Sequence, residues 1–220
     1  ESGSGSSINK IIIGGSDALY IPIIDVPPIS LTTLQTTINT GFGSNVLTQL
    51  TSGVRNTAMG EGSLKVLTSG GRNNAFGSGA MGDVTTANRN VAFGADALRR
   101  VTTGSYNVAL GDESAHDMGG SYNTIIGGLA GSADSHLSSG NTNQSGNVFI
   151  VYKAGYNESG SNLLYISNDS NSNLLYGNFS SGDLSLGQSS GTVTILNDLS
   201  VTSSLYIGSE ALTNNGGTLE

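Results

Sequence analysis

Across residues 39–130 the apolar residues recur at fixed spacing, and each recurrence begins with the same short motif. Asn-x-small-apolar-Gly stands at 39–43 (NTGFG), 56–60 (NTAMG), 73–77 (NNAFG), 90–94 (NVAFG) and 107–111 (NVALG), and a looser copy at 123–127 (NTIIG). The asparagines Asn39, Asn56, Asn73, Asn90 and Asn107 are 17 residues apart, and Asn123 follows after 16. Four positions beyond each closing glycine stand Leu47, Leu64, Met81, Leu98 and Ala115; seven beyond stand Leu50, Leu67, Val84, Val101 and Met118. The motif predicts a short strand. The two apolar residues three apart suit one turn of helix or a tight bend. A Thr/Ser-Gly turn then leads into the next copy. A fixed period of this size predicts a stack of like units: an all-β, elongated β-solenoid or β-prism fibre.

Stacking places identical residues above one another, so the asparagine column is expected to form a structural amide ladder. Arg55, Arg72 and Arg89 form a second column, with Glu61, Asp83, Asp96 and Asp112 as candidate partners. A coil of this length carries few large apolar side chains for the backbone it must order. That shortage predicts association of three copies, intertwined or side by side, against the alternative of a cooperative monomer.

Outside the shaft the pattern changes. Residues 1–38 read as a connector with a degenerate copy at 15–19 (GSDAL), ended by Pro27-Pro28. Residues 131–146 read as a polar loop. Residues 147–220 read as a region of short β-strands in meander style, with a repeat signature returning at 208–212 (GSEAL). The first residues, ESGSGSS, have linker composition, and the returning signature suggests a longer parent fibre.

Composition narrows the chemistry. Charged residues make up 11% of the 220, the net charge is −8, and there is no basic run, so phosphate-directed nucleic-acid binding is not expected. With no cysteine, disulfides and thiolate metal sites are excluded. No apolar stretch is long enough for a membrane helix. Two histidines and no cysteine serve nucleophilic catalysis poorly, so the chain is expected not to be an enzyme and to need no cofactor.

Two clusters remain as candidate sites. Asp112, Glu113, His116 and Asp117 could approach a cation, but their spacing matches no defined metal loop, and a solvated variant turn is the simpler reading. Asp134 and His136 lie in the polar loop, where receptor-binding residues tend to collect on rigid scaffolds. The tyrosines, Tyr106 and Tyr122 among them, are expected to pack in the core or between chains rather than to stack on sugars.

The stretches at 90–111 (NVAFGADALRRVTTGSYNVALG) and 146–182 (GNVFIVYKAGYNESGSNLLYISNDSNSNLLYGNFSSG) resemble the repeat-rich shafts of bacteriophage tail fibres. In that family such shafts often precede an endosialidase-type self-cleaving chaperone domain. The repeats are similar, more loosely, to the heads of trimeric autotransporter adhesins. The resemblance implies a homotrimeric fibre segment in the virion tail. It would attach to a host-surface polysaccharide or protein and join other fibre or tail proteins, without membrane insertion. A bacterial surface adhesin is the alternative, and a polysaccharide-degrading spike a lesser one.

Overall fold

The computed structural model describes residues 10–13, 39–133, 143–169, 173–187 and 194–195. All regular elements among them are strands: β1 (Lys10–Ile13), β2 (Asn39–Phe42), β3 (Thr57–Met59), β4 (Asn74–Phe76), β5 (Val91–Phe93), β6 (Val108–Leu110), β7 (Thr124–Ile126), β8 (Val148–Ile150), β9 (Leu163–Ser167), β10 (Asn173–Asn178) and β11 (Asp183–Leu186). They form one sheet in chain order. From β2 to β7 each strand pairs in parallel with the strand one repeat later, Ala58 on Ala75, Ala75 on Ala92 and Ala92 on Ala109. The fold is therefore an all-β solenoid with the period seen in the sequence.

The segment at 147–151, read from sequence as the start of a meander, instead extends the solenoid. β8 pairs in parallel with β7 and with β9. Only β10 and β11 run antiparallel to their neighbours. The coil between β7 and β8 is longer than the others, yet its strand returns to register.

A three-residue strand holds few hydrogen bonds, and the bends carry the rest of the backbone ladder: in the coil after β4 the N–H groups of Gly79, Met81, Asp83, Thr85 and Arg89 each reach a backbone carbonyl of a neighbouring coil at 2.8–3.0 Å. The asparagines add a buried side-chain ladder. Asn56 donates both its backbone N–H and its Nδ2 to Asn39 Oδ1, each at 2.9 Å. A second Nδ2 proton goes to the Gly70 carbonyl, also at 2.9 Å. Asn73 and Asn90 repeat this with the asparagine one coil before. The ladder runs past Asn107 through Asn123 to Asn147, whose Oδ1 accepts the Leu163 N–H at 2.8 Å. All seven asparagines are buried. Paired this way, each buried carboxamide serves both as donor and as acceptor, so burial leaves it no desolvation penalty to carry.

Two further ladders edge the coils. Thr51, Thr68 and Thr85 each donate a hydroxyl to the threonine carbonyl one coil on, at 2.9–3.0 Å. Ser105, Ser121, Ser145 and Ser161 each accept a backbone N–H from the coil before, at 3.0 Å.

The bend after each strand is not helical. Leu47, Leu64, Met81, Leu98 and Ala115 all take left-handed backbone angles, with φ between 47° and 51°. Around Leu64, overlapping turns close from Gly60 to Ser63, Gly62 to Lys65 and Leu64 to Leu67, each at 3.3 Å. Positive φ at the third residue of the first two is the mark of type II turns. This twist aims the apolar side chain inward, and Leu47, Leu64, Met81 and Leu98 are fully buried. A left-handed conformation is costly for a residue with a Cβ. The buried side chain offsets that cost at every coil. Gly94 marks the corner before it: with φ at 146°, a Cβ there would lie 2.1 Å from the Gly111 carbonyl oxygen.

Along most of the stack core volume is exchanged between two columns; the coil with Ala109 and Ala115 is small at both. Lower in the stack the strand contributes Ala and the bend a large residue, as with Ala92 and Leu98. Higher up, the strand contributes Ile125 and then Phe149, and the bend position becomes Gly131 and Gly155. A Cβ on Gly155 would meet the Phe149 ring at 2.5 Å. The strand column then continues through Tyr165 and Tyr176, with ring centroids 5.3 Å apart for Phe149–Tyr165 and 5.0 Å for Tyr165–Tyr176. These aromatics cover the end of the core. Glu158 secures them: Oε1 accepts the N–H groups of Ser159 and Gly160, each at 2.8 Å, and Oε2 the Tyr165 hydroxyl at 2.6 Å. Burial raises the Glu158 pKa, but the hydrogen bonds from Tyr165, Gly160 and Ser159 together outweigh it, so the net shift is downward.

Three outcomes follow. Asn90→Ala orphans the Gly104 carbonyl and the Asn107 N–H and should destabilise the fold by roughly 3 kcal/mol in chemical denaturation; a loss below about 0.5 kcal/mol contradicts the ladder's role. Phe149→Ala and Gly155→Leu should each destabilise, whereas the double variant recreates the Ala92–Leu98 arrangement and should recover at least about 1 kcal/mol over the sum. Additive losses contradict the exchange. A lowered folded-state pKa means that Glu158 contributes stability above its usual value of 4.5 and loses it as pH falls through the lower folded value. Thermal melts at falling pH should therefore show a loss below about pH 4.5 that Glu158→Gln diminishes; equal acid sensitivity of the two proteins contradicts the assignment.

Candidate functional site

Strand residues alternate between core and solvent, so the ladder and alanine columns leave a second face outside. Its two columns are Thr40 and Phe42 on β2, Thr57 and Met59 on β3, Asn74 and Phe76 on β4, Val91 and Phe93 on β5, and Val108 and Leu110 on β6. The register carries it on through Thr124 and Ile126, Val148 and Ile150, and Leu164 and Ile166. β10 and β11 add Leu175, Leu184 and Leu186. Phe42, Phe93, Leu184 and Leu186 are more than half exposed, at 54%, 61%, 59% and 51%. Phe76 and Phe93 stack along the stripe with centroids 5.6 Å apart. Ten strands at about 4.8 Å make a stripe roughly 45 Å tall, of the order of 500 Å². That is as large as the largest apolar patch of an ordinary monomer, and here it is straight and periodic.

Charged groups gather elsewhere, on the coils at 96–117. Arg99 Nη1 lies 2.8 Å from Asp96 Oδ1, and its Nε lies 3.9 Å from Asp83. Arg100 Nη1 lies 3.1 Å from Asp117 Oδ1. The acids Asp83 and Asp96, expected beside the Arg55 column, thus pair with Arg99 instead. The reason is register: Asp83, Arg100 and Asp117 occupy one stacked position, and Gly82, Arg99 and His116 the next. Asp96, Arg99, Arg100, Glu113 and His116 line a shallow cleft here.

Of the four candidate metal residues, Asp112 is exposed beside the outer face and Glu113 reaches the cleft. His116 and Asp117 are buried, with Nδ1 and Oδ2 3.1 Å apart. Among the described residues, no three histidine or carboxylate side chains converge in a way that could hold a metal ion. Asp134 and His136 lie outside the described residues.

The tyrosines divide. Tyr165 and Tyr176 pack on the core. Tyr106 and Tyr122 are exposed and stacked on each other, 5.2 Å between centroids with planes 13° apart. Arg89 lies over the Tyr106 ring and donates to its hydroxyl. The outer apolar face was not singled out from sequence, although its signal was present: the residue before each motif glycine is Phe, Met, Phe, Phe, Leu and Ile.

No family model, no curated protein and no solved structure matches this chain.

Proposed function

We propose that this chain is a structural and receptor-binding segment of a phage tail fibre, a homotrimer carried on the virion tail that attaches to a host-surface polysaccharide or protein. The observation that carries this reading is the outer apolar face. It runs the height of the stack with the stack's own period, and a second copy of the same stack offers a surface of matching length and spacing. Three such faces turned inward would bury roughly 1,500 Å² in all, about 500 Å² at each of three contacts, so the coils flanking the stripe must add to each contact for it to reach the scale of a stable interface. A straight, three-sided rod suits the mechanics of a fibre. Binding belongs to the turns that remain outside, and its role is adhesive rather than catalytic.

Light scattering under native conditions should give three times the 22.3 kDa chain mass. Phe93→Asp, which buries charge at the centre of the packed faces, should lower that mass while the asparagine ladder keeps the β spectrum. A monomeric wild-type protein contradicts the assembly. Labelled protein should bind one class of cell in a panel of bacteria and compete with that cell's purified surface polysaccharide or protein; absence of binding across the panel contradicts the receptor-binding role.

A further inference from the structure

The outer face has unlike edges. Where the strands begin stand Arg55, Arg72 and Arg89, then Tyr106 and Tyr122, each just before a ladder asparagine and each with φ of 57–62°. Where the strands end stand Glu61 and Asp112, immediately after the closing glycines Gly60 and Gly111. The three arginines, Glu61 and Asp112 are exposed. One edge of the stripe is therefore cationic and phenolic, and the other carries a carboxylate at two levels, with Ser78 and Ala95 at the levels between: Arg55 and Glu61 flank β3, and Tyr106 and Asp112 flank β6.

Within one chain these edges do not meet. Five residues lie between Arg55 and Glu61, which sets the two roughly 15–20 Å apart across the strand. The cationic edge is also ordered: the stacking of Arg89, Tyr106 and Tyr122 fixes a column, and the Tyr106 hydroxyl, accepting from Arg89, keeps its own proton for a further acceptor.

Resting on the self-association proposed above, we infer that Arg55 of one copy meets Glu61 of the next copy at the same height, and that Tyr106 meets Asp112 three levels on. These contacts fix the copies parallel and in register. The reason is symmetry. Rotation about an axis along the stack brings the strand-start edge of each copy to the strand-end edge of its neighbour, at equal height, and closes a ring. Antiparallel packing of the same faces brings strand-start edges together, so the arginines face one another or uncharged residues and the acids lie on the far side. The apolar stripe alone does not discriminate between these arrangements, because it is nearly the same at every level. Charge at the rim sets orientation rather than bulk affinity.

The chain has no cysteine, so single cysteines report the arrangement. Met59→Cys and Ile150→Cys both lie on the outer face, five levels or roughly 24 Å apart. Under mild oxidation each single variant should form disulfides between like positions of two copies. A mixture of the two variants should form no mixed disulfide, that is, none joining a Met59→Cys chain to an Ile150→Cys chain. A predominant mixed disulfide overturns the inference while leaving self-association intact. A monomeric mass with no cross-link of any kind overturns both.

A second arm tests the charges. Arg55→Glu breaks one ion pair at each of three equivalent contacts and should speed subunit exchange between differently labelled pools by about tenfold at low salt. Adding Glu61→Lys in the same chain reverses the pair and should restore exchange to within about threefold of the original. A double variant no slower than the single one overturns the edge pairing.

Discussion

Backbone bonds join neighbouring coils at the strands and at the bends, but such bonds can form at many registers; a buried carboxamide in every coil is what admits only one. The asparagine side chain holds its place because it both donates and accepts. Its oxygen takes the N–H groups of the coil that follows, and its nitrogen serves the asparagine before it and a carbonyl across the coil. Aspartate would have no proton to give, and leucine neither proton nor lone pair. A column of such residues specifies register, since a slip by one position would place every carboxamide outside and leave its partners buried without bonds.

With register held, the core can vary. The stack tolerates Ala with Leu, Ala with Ala, Ile with Gly and Phe with Gly at the same two positions, because side chains of neighbouring coils such as Met118 share the space. The same freedom lets the aromatic residues accumulate toward β9 and β10, where the coil wall behind the sheet gives out and larger side chains must fill the space. The outward face follows a different rule. Its Phe42 column stays apolar as far as Leu186, beside a second column that mixes valine with Thr57, Asn74 and Thr124, although nothing in the monomer requires it, and on that disparity the proposed trimer rests.

The period, the all-β solenoid and the inward asparagines were legible in the sequence because each is a recurrence, and a recurrence survives without knowledge of contacts. The last ladder member was hidden: Asn147 follows Asn123 by 24 residues, and a longer coil masks a strand that still returns to register. The bend after the strand was ambiguous because an apolar pair three apart fits a helical turn as well as left-handed turns, and spacing does not encode the sign of φ. The partners of charged residues were obscured for a related reason. Asp83 and Asp96 lie near the Arg89 column in sequence, but the coil carries them to Arg99. The threonine and serine ladders were masked because such residues are also common in turns.

The most direct test of the central claim is native-state hydrogen exchange read residue by residue. The account predicts that the backbone amides of Asn56, Asn73, Asn90, Asn107, Asn123 and Asn147, all bonded to side chains of the preceding coil, exchange slowest and together as one cooperative block. Exchange of these amides at the rate of the weakly bonded turn amides of Ser69 and Thr86, 3.5 and 3.4 Å from their acceptors, would contradict it, and would mean that the stack holds without the carboxamides.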